Sequence, residues 1–395
     1  MTNNDLFEEQ NEEVIIKHAP KDKKALKKEA KLRKKEEKRR KKEDKSEMKH
    51  APKKKRKIRM WVYFLIFFII CGAAFATLLY GPWKTFRNWL ITTAMTTMSH
   101  QYLATWFYDD DTIDEVLKQN YVQESGEGTD SSLVKFVDYS TTNTMFLNKY
   151  DKEILTKEKG NDIYKVIYLN ENKQRGYLVA IYDPSKVKIA TSKNLGSSGQ
   201  MLVTMAKDNN ALVAMNASGF IDPNYMSNGG IPHGAVIKGG KLVSNREKAP
   251  VGGGIIGFDK NNTLILGRMG AQEAVNKGIR DAVEFGPFLI VNGKPSFIKG
   301  NGGWGTAPRS AIGQRKDGIV LFLVMDGRDY ANGISGSDMV DMTEFMMRYG
   351  AYNAANLDGG TSSGLAVNGE LISKPVNGNG QKSTRAIPDA WIVTK

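Results

Sequence analysis

Apolar residues fill one uninterrupted stretch in the first quarter of the chain. Residues 60–83 contain no charged side chain. A helix of that length spans roughly 36 Å, enough to cross a hydrocarbon core of about 30 Å. Trp61, Tyr63, Tyr80 and Trp83 stand near its two ends, where aromatic rings prefer the membrane interface. The pattern predicts one transmembrane helix, and the long charged stretch before it disfavours a cleaved signal peptide.

The pattern changes twice after this stretch. Residues 84–161 combine an apolar stretch over 85–108, a short amphipathic stretch over 113–119 and a Gly/Ser/Thr-rich loop, which predicts a juxtamembrane helix and a stalk. Short β-branched and aromatic runs separated by turns begin near residue 162. We therefore expect residues 162–395 to form one α+β domain, with a mixed, largely antiparallel sheet, flanking helices and glycine-rich loops.

The elements of this domain follow from alternation and turn signals. Glycine and asparagine pairs between apolar runs predict hairpins, and helix caps and stops bound two helical stretches. The predicted strands cover 164–169, 177–182, 188–191, 212–215, 235–238, 255–258, 264–266, 288–291 and 319–325; the hairpin turns lie at 238–241, 259–262, 292–293 and 368–369; the helices cover 199–209 and 337–349, the second capped by Ser337.

Positive charge is concentrated before the apolar stretch. Residues 1–60 carry +11 of the formal net charge of +14, which predicts a largely disordered basic tail over 1–59, with transient helix over 21–45. By the positive-inside rule the tail lies in the cytoplasm and the C-terminal domain lies outside the cell membrane. The basic cluster at 53–57 also fits a nuclear signal or a nucleic-acid patch. Its place before a span favours anionic lipid instead, so we expect no nucleic-acid partner.

Cysteine and histidine are scarce. The one cysteine, Cys71, lies in the predicted span, and residues 162–395 contain one histidine, His233. This composition excludes a disulfide framework, a thiol nucleophile and the usual zinc sites in the domain. His233 is a candidate substrate contact, although a loop histidine of this kind more often packs against its neighbours.

Four segments place polar side chains in glycine-rich turns beside apolar strands. Glycine lets a ligand approach the backbone closely, and loops on a rigid sheet often carry binding groups. The candidate residues of these segments are Asn216 and Gly219; Arg309; Asp326 and Arg328; and Asn356, Asp358, Gly359, Gly360, Thr361 and Ser362.

These residue types suit recognition and cleavage of a phosphorylated sugar. Arg309 and Arg328 can bind phosphate through bidentate, charge-assisted hydrogen bonds. Amide and hydroxyl groups suit sugar hydroxyls, and Asp326 and Asp358 can act as base, nucleophile or oxocarbenium stabiliser. Each motif also has a purely structural explanation, as a turn or an Arg–Asp pair, and spacing alone does not name the reaction.

Five segments in order resemble the phosphodiester glycosidase family, and the resemblance covers residues 162–395. The last two segments are the most specific, although Thr361 stands where the family pattern often has glycine. Membership would make the chain a bacterial, membrane-anchored member. The five segments are residues 215–220, 285–293, 308–313, 324–328 and 356–363.

The resemblance implies a hydrolase that cleaves a sugar-1-phosphodiester at the anomeric carbon and releases the sugar and a phosphomonoester. It implies Asp326 or Asp358 at the anomeric carbon, Arg309 and Arg328 at the phosphate, and Asn216 at the sugar. Phosphate is a weakly basic leaving group, so the arginines can take over much of the work of a general acid.

The predicted topology implies a partner in the cell envelope. We expect a phosphate-linked glycan or glycopolymer, such as a teichoic acid or an exopolysaccharide, and the composition favours a Gram-positive source. We expect no cofactor, with one divalent cation near Asp326 or Asp358 left open. Two other functions also stay open: a non-catalytic wall-glycan-binding or assembly protein, and a phosphodiesterase that attacks phosphorus, usually with a His/Asp metal cluster.

Overall fold

The computed structural model describes residues 23–47, 54–96, 100–139, 145–222, 227–245, 253–377 and 381–395. The chain forms two compact units, Met1–Thr77 and Leu78–Lys395. Helix α1 (Lys23–Glu47) belongs to the first unit, and helix α2 (Lys54–Tyr80) runs across the division.

The basic tail contains a continuous helix where the sequence predicts only transient helix. α1 is rich in Lys, Glu, Ala and Leu, which are good helix formers, and it carries the i,i+4 ion pairs Arg33–Glu29 and Lys41–Glu37. Each such pair stabilises an isolated helix by only about 0.2–0.5 kcal/mol. The rest of the predicted disordered tail, residues 1–22 and 48–53, lies outside the described residues, as does the first residue of the basic cluster at 53–57.

α2 contains the predicted span. Among the described helices, Met60–Tyr80 is the one that is long and apolar enough to cross a membrane, by length and composition only. Large apolar side chains such as Trp61, Phe64 and Phe68 are exposed along it. A continuous apolar surface of this kind is typical of segments that contact a membrane or another protein.

Three helices that follow α2 pack together. α3 (Lys84–Met95), α4 (Tyr102–Thr105) and α5 (Asp110–Lys118) surround a small apolar core that includes Ile91 and Val116. The predicted helix over 85–108 is thus divided into α3 and α4, with residues 97–99 between them outside the described residues.

Residues 84–139 are part of the large compact unit, whereas the sequence predicts a stalk and a boundary at residue 162. β1 (Tyr121–Gln123) pairs with β13 (Phe297–Lys299). The backbone N–H of Thr129 donates to Leu266 at 2.9 Å, and that of Lys135 donates to Lys316 at 2.8 Å. Hydrogen bonds from an irregular backbone leave no hydrophobic period in the sequence, which explains the difference.

In the described residues, three larger sheets and four α-helices make up the rest of this unit, and every recorded strand pair is antiparallel. In spatial order the seven-stranded sheet contains β12 (Lys294–Pro295), β11 (Phe288–Val291), β16 (Ala351–Asn356), β14 (Arg309–Arg315), β15 (Val320–Met325), β3 (Gln174–Ile181) and β2 (Tyr164–Glu171). One five-stranded sheet contains β18 (Glu370–Leu371), β17 (Leu365–Val367), β5 (Val213–Asn216), β19 (Asp389–Val393) and β4 (Val187–Thr191). The other contains β7 (Lys241–Asn245), β6 (Ala235–Lys238), β10 (Ile279–Phe285), β8 (Gly254–Asp259) and β9 (Leu264–Gly267). The helices are α6 (Lys149–Leu155), α7 (Leu202–Asp208), α8 (Ala271–Asn276) and α9 (Met339–Arg348).

The predicted α+β class is confirmed, and so are the four hairpins, which join β6 to β7, β8 to β9, β11 to β12 and β17 to β18.

The helix predicted over 337–349 is α9, but its cap is Asp338 rather than Ser337. The Asp338 carboxylate accepts from the N–H groups of Val340 and Asp341, and Asp341 returns the bond in a capping box. A carboxylate at this position also complements the helix dipole.

The main apolar core lies between the sheets and contains Trp391, Phe258 and Phe322, all fully buried. α9 covers the other face of the seven-stranded sheet through Met342 and Phe345. The sheets thus form a rigid support, from whose strand ends the glycine-rich turns project.

Candidate active site

Three neighbouring strands of the seven-stranded sheet meet at one edge. Arg309, the first residue of β14, lies opposite Met325, the last residue of β15, and Asn356 ends β16 beside them. In an antiparallel sheet the start of one strand adjoins the ends of its neighbours. The turns at 326–328 and 358–362 therefore emerge next to Arg309, and three of the four predicted motifs come together.

Asn216, at the end of β5, joins the fourth motif to this edge. Its Nδ2 donates to the carbonyl oxygen of Asp358 at 2.7 Å, and its Oδ1 accepts from the Ser310 hydroxyl at 2.7 Å and from the Gly364 N–H at 3.0 Å. The residue is 1% exposed. Because both ends of the amide are engaged, the contacts favour a positioning role for Asn216 over the predicted sugar contact.

The guanidinium groups of Arg309 and Arg328 converge on the backbone of Gly359 and Gly360. A Cβ atom placed on Gly359 would lie 2.9 Å from Nη1 of Arg309, and one on Gly360 would lie 3.2 Å from Nη2 of Arg328. Consecutive Cα atoms are about 3.8 Å apart, so the two positive groups border one short stretch of chain. Gly360 also has a φ of +63°, a conformation that favours glycine.

Neither of these guanidinium groups makes an ion pair with a described carboxylate. Arg309 donates to backbone carbonyl oxygens, and Arg328 donates to the Thr361 hydroxyl at 3.3 Å. Two other buried arginines, Arg175 and Arg315, each contact two carboxylates. Burying positive charge without a counter-charge is unfavourable. The arrangement around Arg309 and Arg328 is therefore suited to bind an anion.

The pKa values of Arg309 and Arg328 both lie below the ordinary value of an arginine. Burial, and after it the positive charge of Arg328, lowers the pKa of Arg309 to about 10. Burial also lowers the pKa of Arg328. Arg309 stays protonated at neutral pH, and a bound phosphate would relieve the repulsion that Arg328 exerts on it.

Asp358 adds a carboxyl group at the same loop. Burial raises the pKa of Asp358 to about 6, although the Ser362 hydroxyl, the charge of Arg385 and the Gly359 N–H all act to lower it. Oδ1 of Asp358 accepts from the Gly359 N–H at 2.9 Å. The residue keeps partial solvent exposure. A partly accessible carboxyl group that titrates near neutrality is suited to proton transfer.

Asp326, the other predicted carboxylate, is held differently. Its Oδ2 accepts from Nε of Arg175 at 2.8 Å, its Oδ1 accepts from the Lys374 N–H at 2.7 Å, and its side chain is 1% exposed. Both oxygens are occupied by structural donors. Of the two carboxylates left open by the sequence, the contacts favour Asp358 at the substrate.

Asp389 is a buried carboxyl group that the sequence did not indicate. It begins β19 and accepts from the Ser218 N–H at 2.8 Å and from the Ser218 hydroxyl at 2.7 Å. Burial raises the pKa of Asp389 to about 6, and the negative charge of Asp358 acts in the same direction. Asp389 therefore lies within the electrostatic reach of Asp358 and holds the turn that contains Ser218.

Arg385 is a second residue without a sequence signal, since it lies in an irregular stretch before β19. Its Nη2 contacts Asp222 at 2.6 Å, and its guanidinium lies 4.3 Å from the ring centre of Phe220. The positive charge of Arg385 also acts on Asp358, where it lowers the pKa. It thus contributes to keeping Asp358 ionised at neutral pH.

Two aromatic rings, those of Phe285 and Trp304, lie between Gly219 and Arg309. A Cβ atom on Gly219 would lie 2.8 Å from the Phe285 ring and 3.8 Å from Cδ2 of His233. The Phe285 ring is 6.0 Å from that of Trp304, which in turn lies 5.7 Å from the guanidinium carbon of Arg309. The predicted candidates Gly219 and His233 therefore adjoin the apolar wall that leads to Arg309.

Asn356 is fully buried, and its Nδ2 donates to the carbonyl oxygen of Gly286 at 2.9 Å. This contact favours support of the loop over the predicted sugar contact. The Ser362 hydroxyl acts on the Asp358 carboxyl group and lowers its pKa.

In the part of the chain that the structure describes, no group of three or more His, Cys, Asp or Glu side chains could hold a metal ion. The single divalent cation stays a prediction.

Known proteins resemble this chain over the same region. Residues 209–394 match the model of the phosphodiester glycosidase family. The SPbeta prophage-derived uncharacterized protein YomE of Bacillus subtilis is 33% identical over 54% of this chain and 32% of its own length. The bovine N-acetylglucosamine-1-phosphodiester alpha-N-acetylglucosaminidase is 26% identical over 36% of this chain and 29% of its own length.

A solved structure is also similar. The zebrafish N-acetylglucosamine-1-phosphodiester alpha-N-acetylglucosaminidase catalytic domain matches with a TM-score of 0.49 and 20% identity, covering 60% of this chain and 86% of that one. The chain spans about a third of the length of the two curated relatives, at 32% and 29%. The region that carries the converging arginines and Asp358 lies within residues 209–394. On this match, residues 209–394 are similar to the phosphodiester glycosidase family.

Proposed function

We propose that the domain hydrolyses a sugar-1-phosphodiester at the anomeric carbon. The observation that supports this most directly is the pair of guanidinium groups, Arg309 and Arg328, without a carboxylate partner among the described residues, beside the carboxyl group of Asp358. Two positive groups match the phosphate, and a carboxylate next to them matches the adjoining sugar carbon.

In this proposal Arg309 and Arg328 bind the phosphate and stabilise the charge that grows on it as the anomeric carbon–oxygen bond breaks. The bridging oxygen leaves with the phosphate. Ionised Asp358 faces the sugar, stabilises the positive charge on the anomeric carbon and accepts the proton of the attacking water. Its pKa of about 6 lets it act as a base near neutral pH and later return the proton to solvent.

Other residues act through these three. Asn216 fixes the backbone of Asp358, and Asp389 fixes the turn at Ser218. Each of these groups is fully or almost fully buried. Groups held in this way do not have to reorganise during the reaction, which is how preorganised sites stabilise a transition state.

We also propose the location and the substrate class. A tail with +11 of the net charge before the apolar helix Met60–Tyr80 supports a cytoplasmic N-terminus and an external domain. The substrate would then be a glycosyl-phosphate linkage of an envelope glycan or glycopolymer. The bovine relative is named for an N-acetylglucosamine-1-phosphodiester, and we propose the same class of linkage without specifying the sugar.

Hydrolysis in ¹⁸O-labelled water tests the reaction. We expect the label in the anomeric hydroxyl group of the released sugar, because water attacks carbon and the bridging oxygen leaves with phosphate. Label in the phosphate would show attack on phosphorus and overturn the glycosidase mechanism. Binding of a wall polymer without turnover of any phosphodiester would instead favour the binding-module function.

Protease added to intact cells tests the topology. We expect digestion of residues beyond about 85 and protection of the basic tail, because positively charged flanks stay on the cytoplasmic side. Antibodies against each end would identify the protected fragment, and permeabilised cells would serve as the control. Protection of the C-terminal domain in intact cells would reverse the orientation and remove the envelope substrate.

A further inference from the structure

The phosphate-binding residue of the proposed function, Arg309, is held by a glycine-rich loop, residues 300–305, which we call the glycine loop. Nη2 of Arg309 donates to the carbonyl oxygens of Trp304 and Gly305, the second at 2.9 Å. The Trp304 ring lies 5.7 Å from the guanidinium carbon. The position of the guanidinium group therefore depends on the conformation of the glycine loop.

The glycine loop has little conformational preference of its own. Gly300, Gly302, Gly303 and Gly305 all have positive φ angles, of 58°, 78°, 79° and 59°. Glycine populates this region freely and loses more conformational entropy on ordering than any other residue. The Gly303 N–H donates to Oδ1 of Asn301 at 3.0 Å within the loop, and contacts from outside the loop supply the rest of the constraint on its conformation.

Asn120, just after helix α5, fills the concave side of the glycine loop. A Cβ atom on Gly300 would collide with Oδ1 of Asn120, and one on Gly303 would collide with its carbonyl oxygen. Oδ1 of Asn120 accepts from the Asn301 N–H at 3.2 Å, while Nδ2 donates to the carbonyl oxygen of Val116 at 2.7 Å. Asn120 is 7% exposed. One side chain thus links the end of α5 to the loop.

Helix α3 makes the second set of contacts. Nδ2 of Asn301 donates to the Thr92 hydroxyl at 2.6 Å, and Thr92 is fully buried. A Cβ atom on Gly305 would lie 2.6 Å from Cα of Thr93, so the backbone of the loop rests directly on the helix. The pairing of Lys299 with Tyr121 fixes the entry to the loop on the remaining side.

We propose that helices α3 to α5 and strand β1, described over residues 84–96 and 100–123, are the positioning element of the phosphate site, with Asn120 and Thr92 as positioning residues that act on Arg309 through the glycine loop. The inference rests on the proposed function of Arg309. The family match begins at residue 209, so this support lies outside the matched region. The phosphate site is thus completed by the part of the chain that directly follows the apolar helix.

Loss of a contact to the glycine loop would change the position of the Arg309 guanidinium group and leave its charge in place. Removing one hydrogen bond to the loop loosens a segment that contains four glycines with positive φ angles, and the two carbonyl oxygens that orient Arg309 shift with it. A guanidinium group displaced by about 1 Å loses its bidentate geometry on phosphate, which weakens the charge-assisted hydrogen bonds in the ground state as well as in the transition state and therefore acts mainly on KM. The charge itself stays, so binding should weaken without disappearing.

The test uses the full chain in detergent micelles with inorganic phosphate as the probe of the site. We expect Asn120→Ala to weaken phosphate binding about 10-fold in calorimetry and Thr92→Val, which removes one hydroxyl group, about 3-fold. We expect the KM for a sugar-1-phosphodiester to rise by similar factors, with a smaller change in kcat. Asn120→Asp keeps the acceptor for the Asn301 N–H and should restore part of the affinity.

Asn209→Ala is the matched control. Nδ2 of Asn209 donates to Met205 at 2.8 Å at the end of α7, as Asn120 does at the end of α5, and Asn209 should affect stability but not phosphate affinity. If Asn120→Ala fails to fold, Thr92→Val decides. Phosphate affinity within twofold of wild type in Thr92→Val, together with loss of binding in Arg309→Ala, would overturn the inference. Unchanged binding in Arg309→Ala would instead overturn the proposed function.

Discussion

Replacing Arg309 or Arg328 with alanine is expected to lower kcat/KM for a sugar-1-phosphodiester about 10- to 150-fold. The reason is the loss of a charge-assisted hydrogen bond to a desolvated phosphate, worth roughly 1.5–3 kcal/mol. Neither side chain has an ion-pair partner among the described residues, so its removal breaks no ion pair, although the positive charge of Arg309 also helps to lower the pKa of Asp358. Steady-state kinetics on purified variants, with melting temperatures measured in parallel, would show the effect.

Two further variants sharpen this prediction. Lysine at either position should restore only part of the activity, because an ammonium group lacks the planar fork of guanidinium. Arg348→Ala is the control, since Arg348 lies at the end of α9 and pairs with Glu171, and it should keep nearly full activity. Folded Arg309 and Arg328 variants with wild-type kcat/KM would remove both arginines from the site.

Replacing Asp358 with asparagine is expected to lower kcat by about 10²-fold or more, which is the usual size of a general acid–base contribution. The side chain keeps its shape and loses its charge. Asp326→Asn should behave differently, because it removes the more deeply buried of the two carboxylates that Arg175 contacts and leaves only Asp329 to pair with it. We expect it to destabilise the fold by roughly 3 kcal/mol and to retain activity where it remains folded.

The dependence of kcat/KM on pH gives a second test of the role assigned to Asp358. The pKa of Asp358 is about 6, and the proposed mechanism needs its ionised form. We therefore expect kcat/KM to rise as the pH increases through about 6 and to reach a plateau above it. The residual activity of Asp358→Asn should lack this step. If a stably folded Asp326→Asn variant lost activity while Asp358→Asn kept full activity, Asp326 rather than Asp358 would be the carboxylate at the substrate.

Local patterns were enough to predict part of the elements of this protein. The apolar residues 60–83 predicted a long apolar helix, and the turn signals at 292–293 and 368–369 predicted hairpins that the structure contains. These features depend on residues close to one another in the sequence, such as alternation, turn chemistry and uncharged length. The motif residues were found for the same reason, since they lie in short glycine-rich segments.

Only the tertiary structure decided which of those residues face a common space and what each one contacts. Arg175, 151 positions before Asp326, occupies that carboxylate, while Asp358 stays partly accessible beside Arg309 and Arg328. The side chain of Asn216 donates a hydrogen bond to the carbonyl oxygen of Asp358, 142 positions away. The glycine loop takes its conformation from Asn120. Contacts between residues so far apart leave no period or turn signal in the sequence, because they are selected by the packing of sheets and helices and not by local conformational preference.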